Sequence, residues 1–237
     1  MIHVWELARF DQAGQMTFYN PDPNDAAYGA PVSSADLNND GRAEFILSAM
    51  AADGPDGDFR TNAGEIHIYF SDGTLGGEID FKKPSSRVVT IYGEAEDDIF
   101  GIKHTAGDME GDGVMDLLVG AFYGDAPGLK DAGKLYIFSS DLLADLLRRG
   151  DDLDLKQPLP AGVRTITGPG IRNRLGVWVD TGDINGDGFD DVVVAADMAD
   201  GFNPNHNETG RVYIFGPRYS AFSQRYHSRD DNYIRYR

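Results

Sequence analysis

The chain has no cysteine, which removes disulfides, thiolate metal sites and cysteine nucleophiles together. Basic residues are also scarce. The 21 Lys and Arg stand against 39 Asp and Glu, a formal net charge of −18 at pH 7, and a surface of that sign repels nucleic acid and anionic membranes. No apolar run approaches the length of a membrane span, so membrane insertion is not expected. Met1-Ile2-His3-Val4-Trp5-Glu6 lacks the basic and apolar regions of a signal peptide. Missing too are a Gly-x-Ser-x-Gly elbow, a P-loop and a dinucleotide fingerprint. The five histidines show no metal spacing. A chain without catalysis is expected.

What the chain does have is glycine, 29 residues in 237, and a 41% hydrophobic fraction. That is the composition of a turn-rich globular protein long enough to bury a core. It also has one distinctive stretch, Asp183-Ile184-Asn185-Gly186-Asp187-Gly188-Phe189-Asp190-Asp191, followed at once by Val192-Val193-Val194. Oxygen-bearing side chains fall at alternate positions, glycine permits a sharp bend, and a carboxylate closes the loop. This spacing wraps a hard cation, with Asp183, Asn185, Asp187 and Asp191 as side-chain ligands and the Phe189 carbonyl between them.

An Asp-Gly pair before an apolar run is also an ordinary hairpin turn, but the pattern recurs. Asp36, Asn38, Asp40, the Arg42 carbonyl and Glu44 precede Phe45-Ile46-Leu47, while Asp108, Glu110, Asp112, the Val114 carbonyl and Asp116 precede Leu117-Leu118-Val119. A bare turn has no reason to keep these groups in register three times. Oxygen-only loops suit calcium, so up to three Ca²⁺ ions are expected. Carboxylates used this way are held ionised, which makes them ligands and not an acid–base couple.

The repeat is wider than the loops. Before each loop stands a glycine after an apolar or aromatic residue: Tyr28-Gly29, Phe100-Gly101 and Leu175-Gly176. After each comes an apolar run closed by Ala49, Ala121 or Ala196, a polar loop, and a strand such as Gly133-Lys134-Leu135-Tyr136-Ile137-Phe138. Val88-Val89-Thr90-Ile91-Tyr92-Gly93 and Val163-Arg164-Thr165-Ile166-Thr167-Gly168 supply a fourth strand. Four antiparallel strands per unit in an all-β chain make the blade of a β-propeller. Repeats run over roughly 28–93, 100–168 and 175–215. Residues 1–20 read as a partial blade, since Ile2-His3-Val4-Trp5 matches Ile66-His67-Ile68-Tyr69 and Thr17-Phe18-Tyr19 matches Thr90-Ile91-Tyr92. The total is three to three and a half blades over 1–215, fewer than the ~4–8 of closed rings. Three explanations stay open, a fragment of a longer parent chain, an open arc, or two copies that close a ring together, and the fragment is favoured.

Ser139 to Gly150 breaks the pattern after the second repeat, with a serine cap, leucines at helical spacing, terminal arginines and a closing glycine. A short helix packed on its own blade is expected. The tail 216–237 carries five arginines against Asp230 and Asp231. It is expected to rest on the acidic body or to lack order without a continuation.

Phe100-Gly101, Gly107-Asp108, Asp112-Gly113, Asp116 through Ala121 and Tyr136-Ile137-Phe138 together resemble an FG-GAP repeat, the unit of the integrin α-subunit β-propeller and of many bacterial surface proteins. The resemblance spans 28–215. It implies calcium between the first two strands of each blade, adhesion-type recognition, and an extracellular or cell-surface location. Tyr28 and Leu175 replace the usual phenylalanine, Glu44 and Glu110 replace shorter ligands, and Ala195 replaces a glycine; the third loop has the least altered ligand set.

The polar loops 51–62, 122–132 and 197–209 are expected on the face opposite the calcium loops, where variable loops carry recognition. Asp58, Phe59, Arg60, Phe202 and His206 are the candidate contacts for a protein or glycan. Two other readings stay open: the accessory propeller of a larger secreted calcium-dependent hydrolase, and a lectin-like sugar binder.

Overall fold

A computed structural model describes residues 16–20, 28–74, 76–81, 87–201 and 208–216. The first sheet is built from β2 (Tyr28–Ala35), β3 (Glu44–Ala49), β4 (Glu65–Tyr69) and β6 (Val88–Tyr92), all antiparallel. The second is β7 (Phe100–Gly107), β8 (Asp116–Ala121), β9 (Lys134–Phe138) and β11 (Val163–Thr167). The third has three described strands, β12 (Leu175–Gly182), β13 (Asp191–Ala196) and β14 (Arg211–Phe215). These sheets are the blades of a partial β-propeller. Each inner strand carries a register shift just after its first residue, at Tyr28, Phe100 and Leu175. The following glycine explains it: Gly176 sits at φ +93°, a conformation other L-residues adopt only with strain.

Period-two alternation divides the second blade between two cores. Leu117, Val119, Tyr136 and Phe138 face the first blade and join Ile66, Ile68, Val89 and Ile91. Leu118, Leu135, Ile137 and Ile166 face the third and meet Val179, Val192 and Val194. The outward face of the third blade has no such cover among the described residues. Trp178, Ala195 and Val212 lie in one cross-strand row, and Asp180, Val193 and Ile214 in the next. Trp178, Val212 and Ile214 are 63%, 65% and 58% exposed.

The backbones of adjacent blades touch. A Cβ on Gly64 would lie 2.0 Å from the Phe100 carbonyl oxygen, and one on Gly133 would lie 2.1 Å from the Leu175 nitrogen. Gly64 and Gly133, ahead of the third strands of the first two blades, are therefore contact residues, needed where one blade closes on the next.

The helix α1 (Ser140–Arg149) is capped by the Ser139 hydroxyl, which accepts from the Leu142 amide, and ends at Gly150 in the left-handed region. Its docking departs from expectation. Leu142, Leu143 and Leu146 do not pack on their own blade alone; they enter the core shared by the first and second blades, with the helix against β6. Each leucine so buried contributes roughly 2 kcal/mol. The chain then adds β10 (Leu153–Asp154) parallel to β6, with Leu153 opposite Ile91.

That added strand has a twin. β1 (Met16–Tyr19) pairs in parallel with β5 (Gly77–Asp80), and Phe18 stands opposite Ile79 as Ile91 stands opposite Leu153. The match of Thr17-Phe18-Tyr19 to Thr90-Ile91-Tyr92 thus extends to their partners, Ile79-Asp80 and Leu153-Asp154. Phe18 also packs on Phe45, Tyr69 and Phe81. Ile2–Trp5 lies outside the described residues, as does the tail from 217 on.

Candidate functional site

The three acidic loops join the first and second strands of their blades and share one hydrogen-bond plan. The leading carboxylate gathers the bend: Asp183 accepts from the amides of Gly186, Asp187 and Gly188 at 2.7, 3.0 and 2.9 Å. Asp108 does the same for Gly111, Asp112 and Gly113, and Asp36 for Asp40 and Gly41. The hydrogen bond from Gly188, with those from Gly186 and Asp187, holds the Asp183 carboxyl below its ordinary pKa. The middle aspartates, Asp40, Asp112 and Asp187, each accept from the amide two residues on, at Arg42, Val114 and Phe189.

The closing carboxylates Glu44, Asp116 and Asp191 are buried. Glu44 accepts from the Leu37 amide at 2.7 Å and Asp191 from the Ile184 amide at 3.0 Å. Asp116 Oδ1 accepts from the Ser140 amide, while its buried Oδ2 has no partner. Burial pushes Glu44 up to about 7 and Asp116 up to about 6.

The loops differ in what already neutralises them. Arg42 donates to Asp40 at 2.6 Å in the first. In the second, Glu110 is drawn to Arg164 of β11 at 3.2 Å. In the third, Asn185 donates to Asp191 at 3.1 Å, and no ion pair of Asp183, Asp187 or Asp191 occurs among the described residues. No group of three His, Cys, Asp or Glu side chains converges as a ready metal cluster among the described residues. The donor set remains oxygen-only and includes an orphaned buried oxygen at Asp116, which fits a hard divalent cation.

Asp190, outside the expected ligand set, ties two loops together. Its amide donates to the Asp108 carbonyl at 2.9 Å, and its Oδ2 accepts from the Asp108 amide at 2.9 Å. The Phe189 ring covers Gly111, where an added Cβ would lie 2.6 Å away. The cue is Asp190, the first aspartate of the Asp190-Asp191 pair, which the repeat does not require; its counterpart in the second loop is Met115.

On the opposite face, an aspartate four residues after each closing alanine braces the polar loop. Asp53, Asp125 and Asp200 accept from the amides of Asn62, Asp131 and Glu208, each at positive φ. Of the candidate contacts, Phe59 is 74% exposed and Asp58 is paired with Lys156 at 2.6 Å. Arg60 is the correction: it turns inward, is 6% exposed, and bonds Asp154 of β10 at 2.8 Å. An exposed guanidinium was expected; the neighbouring insertion offers it a half-buried carboxylate instead. Phe202 and His206 lie outside the described residues. His67 and His104 are buried, with Nδ1 atoms on Thr90 and Ser48, and burial lowers each to about 4.

A cavity of about 450 Å³ opens on this face between the second and third blades, with Tyr123, Lys130, Arg172 and Arg174 among its walls. Arg174 is held by two hydrogen bonds to Asp197, the Nε one at 2.8 Å, and lies 5.5 Å over the Phe122 ring.

The FG-GAP repeat family matches residues 28–69 and 175–215. Integrin alpha-PS2 of Drosophila melanogaster is 32% identical over 137 residues, a stretch that covers 55% of this chain and 8% of that protein.

Proposed function

The chain carries FG-GAP repeats, and on that premise we propose that it is a calcium-dependent, non-catalytic segment of a β-propeller that recognises a protein or glycan outside the cell or at its surface. The observation that carries the calcium reading is the closing carboxylate, buried in all three loops and left with an unpartnered oxygen at Asp116. A buried carboxylate oxygen without a partner costs free energy that a cation removes.

Asp36, Asn38, Asp40, the Arg42 carbonyl and Glu44 hold the first ion, and Asp108, Glu110, Asp112, the Val114 carbonyl and Asp116 the second. Asp183, Asn185, Asp187, the Phe189 carbonyl and Asp191 hold the third. Bound calcium supplies two positive charges to each loop. The loop residues do the rest: the leading aspartates fix the bend, and Asp190 couples the second loop to the third. The third loop fills first, since no ion pair competes for its aspartates among the described residues. The apolar face of Trp178, Val212 and Ile214 supports a further blade as neighbour, from a longer parent chain or a second copy.

Titration calorimetry on the chelator-stripped chain tests the proposal. Heat of calcium uptake with a raised melting temperature supports it. Calcium-dependent turnover of a hydrolase substrate by the isolated chain overturns the non-catalytic part.

A further inference from the structure

The two blade junctions share one backbone design. At the first, the amides of Asp97, Ile99 and Phe100 donate to the carbonyls of Thr61, Asn62 and Ala63. At the second, Arg172, Arg174 and Leu175 donate to Lys130, Asp131 and Ala132 in the same order. The side chains carried on that frame differ. Where the first junction has Thr61, Asp97 and Ile99, the second has Lys130, Arg172 and Arg174. Three cations thus stand at one seam of a chain whose net charge is −18, interleaved with Asp97, Asp131 and Glu208.

The space differs as well. Arg60, four residues before Gly64, lies buried at the first junction, whereas its counterpart before Gly133 is Leu129. The cavity of about 450 Å³ lies at the second junction, with Asp97 and Ile99 of the first junction also in its wall; its volume falls within the ~300–1,000 Å³ of small-ligand sites. Two of its cations are available. Arg172 has a side chain 72% exposed and meets Glu208 only at 3.9 Å. Lys130 makes no ion pair among the described residues. Arg174 is committed to Asp197, which fixes it as part of the wall.

We propose that this cavity binds a single carboxylate of a protein ligand, an Asp or Glu side chain or a chain terminus, with Arg172 and Lys130 receiving the acid beside Tyr123. A guanidinium fork matches a carboxylate in two hydrogen bonds, and the lysine adds a mobile charge. Acidic residues in the same wall, Asp97, Asp131 and Glu208, repel a dianion such as phosphate more strongly than a singly charged carboxylate. A sugar ring would need a bare aromatic face, but Tyr123 lies 4.0 Å from the Phe122 ring and 6.0 Å from the Arg174 guanidinium. The inference deepens the recognition reading above and rests on it.

The test uses the ¹⁵N-labelled 237-residue chain and three probes: acetyl-Gly-Asp-Gly-amide, acetyl-Gly-Asn-Gly-amide, and acetyl-Gly-Gly-Gly with a free carboxyl. The expected result is a shift of the Arg172 Nε–H resonance with either acidic probe at about 10 mM and none with the asparagine probe. The stronger of the two acids identifies side chain or terminus. Arg172→Ala with Lys130→Ala weakens binding about tenfold or more, while Arg148→Ala on α1 leaves it unchanged. Equal response to the asparagine probe, full binding by the double variant, or no response at all overturns the proposal. A response confined to Asp58 and Phe59 also overturns it, yet leaves the recognition face standing. Calcium uptake on the same sample reports on the loops separately.

Discussion

At the junction of the first two blades, the leucines of α1, the short strand β10 and the pair of buried Arg60 with half-buried Asp154 fill and clamp the seam. At the junction of the second and third, the same backbone hydrogen bonds recur, but the seam carries exposed cations and a cavity. The sealing of the first seam comes from one insertion. After β9 the chain turns back through the helix and lays Asp154 and Lys156 against the loop of the preceding blade. A repeated backbone therefore fixes how blades meet, while inserted side chains decide whether the seam is filled.

The comparison breaks most readily at the glycines both junctions share. Gly133→Ala places a Cβ 2.1 Å from backbone and Gly64→Ala places one 2.0 Å from backbone. Each should lose more than about 3 kcal/mol in urea unfolding. Gly128→Ala, with nothing within 4 Å, loses only about 1 kcal/mol from its positive φ. Unequal effects at the two junctions would contradict the shared frame. Next comes the clamp: Leu143→Ala empties a fully buried site and should cost about 3 kcal/mol.

The polar filling comes third. Arg60→Ala strips Asp154 of its buried partner and should cost about 2 kcal/mol. Its counterpart test at the open seam, Arg172→Ala, should change stability by less than about 0.5 kcal/mol. A similar loss from both would erase the distinction between sealed and open seams.

The smallest effect is a pH dependence at the sealed seam. Asp98 is buried, and burial pushes its carboxyl up to about 7 against the opposing pull of Lys134. Its folded pKa lies above the unfolded value, so the stability tied to its proton is present at low pH and lost as pH rises from about 4 through 7. Asp98→Asn should raise the melting temperature at pH 8 more than at pH 5. His67 and His104 slope the other way, since both are held neutral at about 4. Their contribution is lost as pH falls below about 6.5. Measuring the difference between variant and parent at each pH cancels them.

Much of this architecture is legible in the chain. Period-two strands, the three acidic loops and the glycine punctuation define the blades, and Ser139 and Gly150 bound the helix one residue outside each end. What the local pattern does not carry is where an element docks. The leucines of α1 announce a buried stripe, but only the return through Asp154 decides that it closes against β6. The short parallel strands β5 and β10 were hidden for the same reason: two to four residues have too little periodicity to read. Arg60 looked like a surface contact because its partner lies 94 residues away. Asp190 has no place in a ligand pattern because its partner is the backbone of a neighbouring loop.

The claim beneath all of this is that the three loops are cation sites, and native mass spectrometry of the chelator-stripped chain returned to calcium measures it most directly. The account predicts binding of three calcium ions per chain, falling to two in Asp183→Ala with loss of the tightest. A chain that takes up no calcium, with a melting temperature indifferent to chelator, contradicts it.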